Sequence, residues 1–212
     1  LINSYLQSFD IMKKIGEMVR IFGAKVPHMV TIEAGGVTTM PTGERIMKYM
    51  ALAKEAKEFI NNSYLPDVLA VAKHFKEYFN IGKGTNNFLS FNTLINLDNS
   101  YMFSGGFSKN FVYEEKIEPY EIVEYNEHSY YKESGGHKPL DLDHLTPISK
   151  EEFENRTTKY SWAKAPRYKG NVVEVGPSAV VIDTYLSKKN QKLNKLVDKL
   201  NKELGITIAD YN

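Results

Sequence analysis

The stretch from residue 160 to residue 170 constrains this chain most, because it is dense in aromatic and charged residues yet follows neither a helical nor a strand period. It contains Trp162, the single tryptophan of the chain, and two cations, Lys164 and Arg167, on either side of a proline. Polar side chains on irregular backbone often belong to a functional site, since binding and catalytic residues tend to lie on loops that a rigid scaffold positions. We therefore expect this stretch to belong to a functional site.

The composition is that of an ordinary globular protein. With 212 residues, of which 42% are hydrophobic and 25% charged, the chain is long enough to fold without disulfides, and we predict a single domain over 1–212. A formal net charge of +1 gives no electrostatic reason to expect a nucleic-acid partner. No apolar run approaches the roughly 18 residues of a membrane span, so we expect no direct span. The first residue, Leu1, is not a methionine, which indicates a chain cut from something longer.

Cysteine is absent from the chain, and this limits its chemistry. The sequence can build no disulfide framework, no thiolate metal site and no cysteine nucleophile. A lack of disulfides favours a reducing compartment only weakly.

Apolar periodicity predicts an α+β fold that is mainly α: a helical bundle-like core with a small β hairpin or sheet and long loops. The first helix is expected to end with Gly23 just past its last turn, and Asn61-Asn62-Ser63 to break the second. Short strands are predicted on either side of Gly105-Gly106. Residues 24–43 and 133–159 are predicted to be loops. The predicted helices are 6–22, 44–60, 66–79, 119–131, 180–185 and 189–204.

The five histidines lack the spacing of a helical metal site. His137 shares a polar loop with His144, Asp141 and Asp143, which could hold a divalent ion together. We prefer to interpret these residues as a solvated polar loop. His28, which follows a proline, is predicted to be a buried, hydrogen-bonded structural histidine.

Two charged motifs are better explained without a ligand. Residues Gly82-Lys83-Gly84-Thr85 lack the spacing of a phosphate-binding loop and follow a helix instead of a strand. The last helix carries four lysines on one face opposite its leucines, which is typical of a solvated face. They are Lys192, Lys195, Lys199 and Lys202.

The two cations of the opening stretch leave two interpretations open. In one, Lys164 and Arg167 are surface side chains whose aliphatic stems cover apolar neighbours. In the other, they project inward and pair with a carboxylate. The candidate carboxylates are Glu124, Glu127 and Glu174.

Five blocks of the chain, collinear in order, resemble motifs of the large subunit of nickel–iron hydrogenases. The last block holds a Tyr-Ser-Trp-x-Lys-x-Pro-Arg stretch that leads into Glu-Val-Gly-Pro. The resemblance covers about residues 9–181, and five blocks in the family's order make it specific. The blocks are Phe22 to His28, Gly35-Gly36-Val37, Tyr64 to Val68, Glu124 to Lys132, and Lys159 to Pro177.

This resemblance implies a subunit that splits hydrogen into protons and electrons, or the reverse, at a nickel–iron centre. Electrons would leave through the iron–sulfur clusters of a small-subunit partner. The family holds its metals with four cysteines, in an Arg-x-Cys-Gly-x-Cys motif near the N-terminus and an Asp-Pro-Cys-x-x-Cys motif near the C-terminus. This chain has neither motif, so we expect a central fragment with no metal ligand and no catalytic residue of its own.

The resemblance also implies which polar residues surround the metal ligands. The family places a Glu and the Lys of its Tyr-Ser-Trp block in a water network around a structural magnesium, and these map to Glu124 and Lys164. His128 and Arg167 lie in the same two blocks and are further candidates. Such groups orient the ligands without touching a metal. We expect Lys164 to be buried against a carboxylate, with Glu124 the first candidate.

The chain departs from the family at several positions. Tyr130 stands where the family has a tryptophan, and Ser178-Ala179-Val180 stands where it often has Leu-Ala/Ser-Arg. The alternative interpretation of the whole chain is a cysteine-free relative that kept the scaffold, lost the metal and serves as a binding or assembly module. The compartment stays open: cytoplasmic, or periplasmic and membrane-associated through partner subunits.

The fragment interpretation leaves apolar surface to be covered, because in the complete subunit the central helices would pack against the missing parts and the small subunit. The first helix, through Ile11, Ile15 and Phe22, and the helix over 44–60 are expected to present faces with no partner inside the chain. Contiguous apolar patches on a soluble protein favour association, so the isolated chain is expected to self-associate.

Overall fold

A computed structural model describes residues 1–132, 135–139, 145–156 and 158–211 of the chain. The chain divides into two compact units, the first being Leu1–Tyr78 and the second beginning at Phe79. Helices account for 48% of the residues and strands for 18%, which confirms the mainly helical α+β class. The single domain assigned to residues 1–212 stays a prediction.

The first unit is built mainly from helices. Between the first two, the segment predicted as loop forms a small antiparallel hairpin. Gly35 lies in its two-residue turn at a φ of +93°, a conformation that glycine adopts without steric cost. The elements are α1 (Ile2–Gly23), β1 (Ile32–Glu33), β2 (Gly36–Val37), α2 (Gly43–Phe59) and α3 (Leu65–His74).

The core of the first unit lies between α1 and α2. Ile11 of α1 is buried with Ala56 and Phe59 of α2. The expectation that Ile11 lies on an uncovered face was therefore wrong, because its position on α1 faces α2. Ile15, one turn further on, is 42% exposed as expected.

The residues Asn61-Asn62-Ser63 do not break the helix as predicted. The chain runs from α2 through a π-helical turn, Ile60–Tyr64, directly into α3. A π turn keeps the backbone hydrogen-bonded while it changes the helical phase, so the polar residues are accommodated without a break. Helix α3 ends at His74, earlier than predicted, and a 3₁₀ turn follows at Lys76–Asn80.

Gly23 serves packing at the end of α1. It is the last helical residue, and the left-handed conformation falls on Ala24, at a φ of 61°. A Cβ on Gly23 would lie 2.6 Å from the Cγ of Met29. The lack of a side chain thus lets the following loop pack against the helix end. The prediction that Gly23 lies just beyond the helix was wrong by one residue.

In its described residues, the second unit combines short antiparallel strands with three α-helices. The strands pair as β3-β6-β7, β4-β5 and β10-β8-β9. The strands are β3 (Asn87–Ser90), β4 (Thr93–Ile95), β5 (Tyr101–Phe103), β6 (Gly106–Lys109), β7 (Val112–Glu114), β8 (Ile122–Tyr125), β9 (Gly136–His137) and β10 (Ala165–Tyr168). The helices are α4 (Lys150–Glu154), α5 (Pro177–Ser187) and α6 (Gln191–Leu204), with 3₁₀ turns at Pro119–Glu121 and Ile208–Tyr211.

The predicted hairpin around Gly105-Gly106 does not form. Strand β5 pairs with β4, and β6 pairs with β3 and β7. Both glycines are instead sites of close approach: a Cβ on Gly105 would lie 2.4 Å from the backbone carbon of Phe91, and one on Gly106 would lie 2.3 Å from the ring of Tyr113. Glycine marks a tight passage of the backbone here.

The region 119–159 also differs from prediction. The helix predicted over 119–131 is a 3₁₀ turn followed by strand β8, because β10 supplies a pairing partner some forty residues along the chain. The loop predicted over 133–159 contains β9 and α4, and Ser149 and Glu152 form a reciprocal capping box at the start of α4. Helices α5 and α6 match the last two predicted helices, and Gly205 ends α6 in the left-handed conformation.

The core of the second unit joins α5 to the sheet β3-β6-β7. Phe88 is buried with Ala179 and Ile182, while Phe107 and Tyr168 meet edge to face with ring centroids 4.9 Å apart. The core also contains a carboxyl group. Asp183 of α5 is fully buried and accepts hydrogen bonds of 2.7 Å from the hydroxyls of Ser90 and Ser108.

The buried Asp183 predicts a pH dependence of stability. Burial raises its pKa to about 6, against the opposing effect of the two serine hydrogen bonds. Because the folded state binds this proton more tightly than the unfolded state, the contribution of Asp183 is fully present below about pH 4 and is lost as the pH rises through about 6. Two pKa units correspond to about 3 kcal/mol.

We therefore expect the free energy of unfolding of the natural chain, relative to that of Asp183→Asn, to fall by about 3 kcal/mol between about pH 4 and pH 7. Urea denaturation at a series of pH values measures this difference. The control is Asp10→Asn, which removes an exposed carboxylate from α1. A constant difference between the natural chain and Asp183→Asn would contradict the prediction.

Candidate functional site

The candidate site is built on the antiparallel pair β8 and β10. Their register places Glu124 opposite Pro166. Lys164 immediately precedes β10, and its ammonium donates a hydrogen bond to the carboxylate of Glu124. The two side chains are 18% and 25% exposed, respectively. The predicted pairing of Lys164 with Glu124 is confirmed, although both side chains are only partly buried, and of the two interpretations of Lys164 the inward one holds.

An open pocket of about 500 Å³ lies beside this ion pair. Three of the four predicted site residues line it: His128, Lys164 and Arg167. Glu124 is bound to the pocket wall through Lys164. The structure therefore brings all four candidates to one place, although they come from blocks about forty residues apart. The remaining lining residues are Tyr125, Glu127, Ser129, Tyr160, Ser161, Ala163, Ala165 and Gly170.

His128 is oriented by two contacts. Its Nδ1 lies 3.2 Å from the carbonyl oxygen of Thr158, and its ring stacks on that of Tyr160 with centroids 5.6 Å apart. A carbonyl oxygen can only accept a hydrogen bond, so Nδ1 carries the hydrogen. In the neutral ring this leaves Nε2 as a hydrogen-bond acceptor.

Arg167 behaves differently from Lys164. It is half-buried at the pocket and its Nη1 donates to the carbonyl of Pro166 at 2.8 Å. Within the described part of the chain no ion pair joins it to a carboxylate. Glu174, one of the carboxylates considered for it, instead accepts a 2.8 Å hydrogen bond from the Thr85 N–H. Arg167 therefore presents a charge to the pocket without the carboxylate partner that the inward interpretation required.

Sequence reasoning missed the residues that hold the pocket wall. Ser129 is buried and its hydroxyl donates to the carbonyl of Ala163. The hydroxyl of Ser161 accepts a 2.9 Å hydrogen bond from the Ala163 N–H. Both serines lie inside the two motif blocks, which was the available signal, but small hydroxyl residues carry no periodicity that would single them out.

The histidine predictions have mixed outcomes. His28 is exposed, so its assignment as a buried structural histidine was wrong; the loop that carries it runs over the surface of the first unit. His137 is half-buried on β9, where the strand register places it opposite Glu124. Its predicted companions His144, Asp141 and Asp143 lie outside the described residues.

The described residues form no cluster of metal-binding side chains. The chain has no cysteine, and no group of three or more His, Asp or Glu side chains among the described residues could hold a metal ion. The site nevertheless holds an ammonium that is hydrogen-bonded to a carboxylate at the edge of an open pocket. Across the residues that the structure describes, no helix combines the length and the apolar character that a membrane span requires.

Comparison with known proteins identifies the class. The family model of the nickel-dependent hydrogenases matches residues 1–212, so this chain belongs to the nickel-dependent hydrogenase family. The family expected from the motifs is confirmed.

The relatives are more specific: they are large subunits. The chain is 27% identical to the quinone-reactive Ni/Fe-hydrogenase large chain of Wolinella succinogenes, over 99% of this chain and 40% of that protein. It is 30% identical to the periplasmic NiFeSe hydrogenase large subunit of Desulfomicrobium baculatum, over 96% of this chain and 38% of that protein. The H2-activated NiFeSe hydrogenase structure from Desulfomicrobium baculatum matches 99% of this chain and 45% of its own, with a TM-score of 0.76 and 25% identity. The chain thus corresponds to a segment of a nickel–iron hydrogenase large subunit and spans about 40% of these curated relatives' length.

The ion pair makes a prediction about stability. A charged group left without its partner in a largely buried position costs more than the loss of both partners. We expect Glu124→Gln and Lys164→Met each to destabilise the chain, and the double variant to show a coupling of about 1–3 kcal/mol.

Urea denaturation of the four proteins of this cycle measures the coupling. A matched control is the pair of Lys169 and Glu114 in the same unit, whose side chains are 37% and 51% exposed. Solvent screens such pairs, so no coupling should be measurable there. Equal coupling in the two cycles would show that the Lys164–Glu124 contact is an ordinary surface pair.

Proposed function

We propose that this chain is the part of a nickel–iron hydrogenase large subunit that frames the metal site, in an enzyme that interconverts H2 with protons and electrons. The observation that carries the proposal is the Lys164–Glu124 pair, which the fold assembles from two of the motif blocks by which the chain resembles the family. The family match over residues 1–212 supplies the reaction class.

The residues of this chain do not fit the nickel–iron centre as ligands. Sites for such metals in this family use soft thiolates, and the chain contains none. The ligands must therefore come from sequence outside the 212 residues. Magnesium belongs to the same proposal: in the complete subunit Glu124 and Lys164 would take part in the water network around it, and the centre itself would supply the hydrogen chemistry.

The proposed task of this segment is to orient charged and hydrogen-bonding groups around the metal site. Lys164 keeps the Glu124 carboxylate in a fixed position. His128 offers Nε2 as a hydrogen-bond acceptor at the pocket, and Arg167 contributes positive charge there. Polar groups that surround metal ligands in this way can change activity by about 10–100-fold without binding the metal.

The proposed partner is an iron–sulfur small subunit that receives or supplies the electrons. One relative of this chain is named as quinone-reactive and another as periplasmic. We propose that the compartment of this chain is likewise set by its partner subunits. The proposal does not extend to nucleic acids, for which the net charge of +1 offers no attraction.

The second candidate function is a cysteine-free scaffold or assembly module related to this subunit but without catalysis. The absence of cysteine favours it. The reading frame around this sequence separates the two proposals: cysteine pairs upstream and downstream support the first, and native ends at Leu1 and Asn212 support the second.

We expect the isolated chain to bind neither nickel nor iron and to show no hydrogen-dependent dye reduction, since it lacks thiolate ligands. Elemental analysis after dialysis against a chelator and a dye assay measure this. One retained nickel per chain would contradict the claim that the ligands lie elsewhere.

In the assembled enzyme we expect Glu124→Gln and Lys164→Met to lower hydrogen oxidation about tenfold or more. The control is Lys199→Met, on the exposed face of α6. Full activity in both site variants would remove the role proposed for the pair, whereas a loss in all three variants would show only general instability.

The proposed self-association rests on the exposed side chains of α1. Phe9, Met12 and Ile15 recur at helical spacing and are 44%, 56% and 42% exposed, respectively. On α2, Met47 is 74% exposed. These apolar side chains have water as their neighbour in the isolated chain, so burial against a second copy would stabilise a dimer or larger assembly.

We expect the molar mass from light scattering to rise with concentration, and Met12→Glu to reduce this association. The control Gln7→Glu adds the same charge at an exposed position of α1 that carries no apolar side chain. A strict monomer at every concentration would favour the self-contained module.

A further inference from the structure

Lys159 makes an unusual set of contacts just ahead of the stretch that carries the site. Its ammonium donates to the carbonyl oxygens of Tyr131 at 2.8 Å and Ser129 at 3.0 Å, and lies 3.4 Å from that of Glu127. An ammonium has three hydrogens and no acceptor capacity. These three alternate carbonyls can therefore use all of its donors.

The same two segments are also joined through their main chains. The Tyr160 N–H donates to the His128 carbonyl at 3.0 Å, and the Tyr130 N–H donates to the Ser161 carbonyl at 2.9 Å. Residues 127–129 of the first segment and residues 160, 161 and 163 of the second thus form one wall of the pocket. Neutral main-chain hydrogen bonds are individually modest, whereas bonds from an ammonium are roughly twice as strong.

The contacts continue to the ion pair. The carbonyl oxygen of Ser129 accepts from the Lys159 ammonium, and the hydroxyl of the same residue donates to the Ala163 carbonyl. Ala163 precedes Lys164, which meets Glu124. A path of hydrogen bonds and one peptide bond therefore leads from the Lys159 ammonium to the backbone of Lys164.

We propose that Lys159 is a positioning residue. Its ammonium fixes residues 127–131 against residues 158–163 and thereby sets where Lys164 meets Glu124 and where His128 faces the pocket. The inference concerns the geometry of this chain and goes beyond the proposed hydrogenase function, because it holds equally for a scaffold without catalysis.

Lysine labelling of the 212-residue chain tests it. The chain and its variants are treated with limiting acetic anhydride, and the modification of each lysine is followed by mass spectrometry. We expect Lys159→Met to raise the labelling rate of Lys164 about fivefold or more relative to Lys199, because weakening the charged contacts opens the wall. Lys159→Arg, which still donates to carbonyls, should return Lys164 to its original rate. Lys132→Met is the matched control, since it removes an exposed lysine that directly follows Tyr131, one of the residues that Lys159 contacts.

Amide hydrogen exchange separates local positioning from general stability. In Lys159→Met the amides of Tyr130 and Tyr160 should exchange faster, while that of Leu89, which donates to the Glu174 carbonyl elsewhere in the unit, should not change. If Lys159→Met does not fold, Lys159→Gln is measured in the same way.

The proposal is overturned if Lys164 labelling in Lys159→Met stays within about twofold of the natural chain, or if all of these amides accelerate equally. Failure of Lys159→Arg to restore Lys164 protection would overturn it as well. None of these measurements uses hydrogen turnover, so their outcome is independent of whether the hydrogenase proposal holds.

Discussion

The pairing of β8 with β10 is the constraint on which the candidate site depends. It places Glu124 opposite Pro166 and so brings the Lys164 ammonium onto the Glu124 carboxylate. Desolvating two charges is costly unless each is bonded, so this contact stabilises only the geometry in which both partners meet. The geometry of the pocket depends on the same pairing, since Arg167 lies on β10 and His128 lies in the segment that follows β8.

Polar contacts recur in the interior of the second unit and give the scaffold its specificity. Asp183 ties α5 to β3 and β6 through Ser90 and Ser108. Hydrophobic packing around Phe88 would tolerate small shifts of the helix, but a buried carboxyl that must keep two hydrogen bonds tolerates few. The unit that carries the site is thus held by a few demanding polar contacts within a modest apolar core.

The chain corresponds to a segment of a nickel–iron hydrogenase large subunit, and it contains no cysteine. Its family is fixed over all 212 residues, while the length it matches is about 40% of the curated relatives. An open pocket lined by charged side chains and an uncovered apolar stripe on α1 are what a segment of a larger assembly would present. The proposed role in framing a metal site would account for both features.

The sequence by itself determined the family, the absence of thiolate ligands and the amphipathic helices α1, α2 and α6, because motif order, composition and a period of 3.6 residues are local properties. It did not predict β8, which the local pattern favoured as helix. The residues alone left three carboxylates open as partners of Lys164, and only the family resemblance put Glu124 first. Those outcomes were decided by the tertiary structure. Strand pairing and ion pairing join residues about forty positions apart. Local residue preferences cannot predict which distant segment will supply the partner.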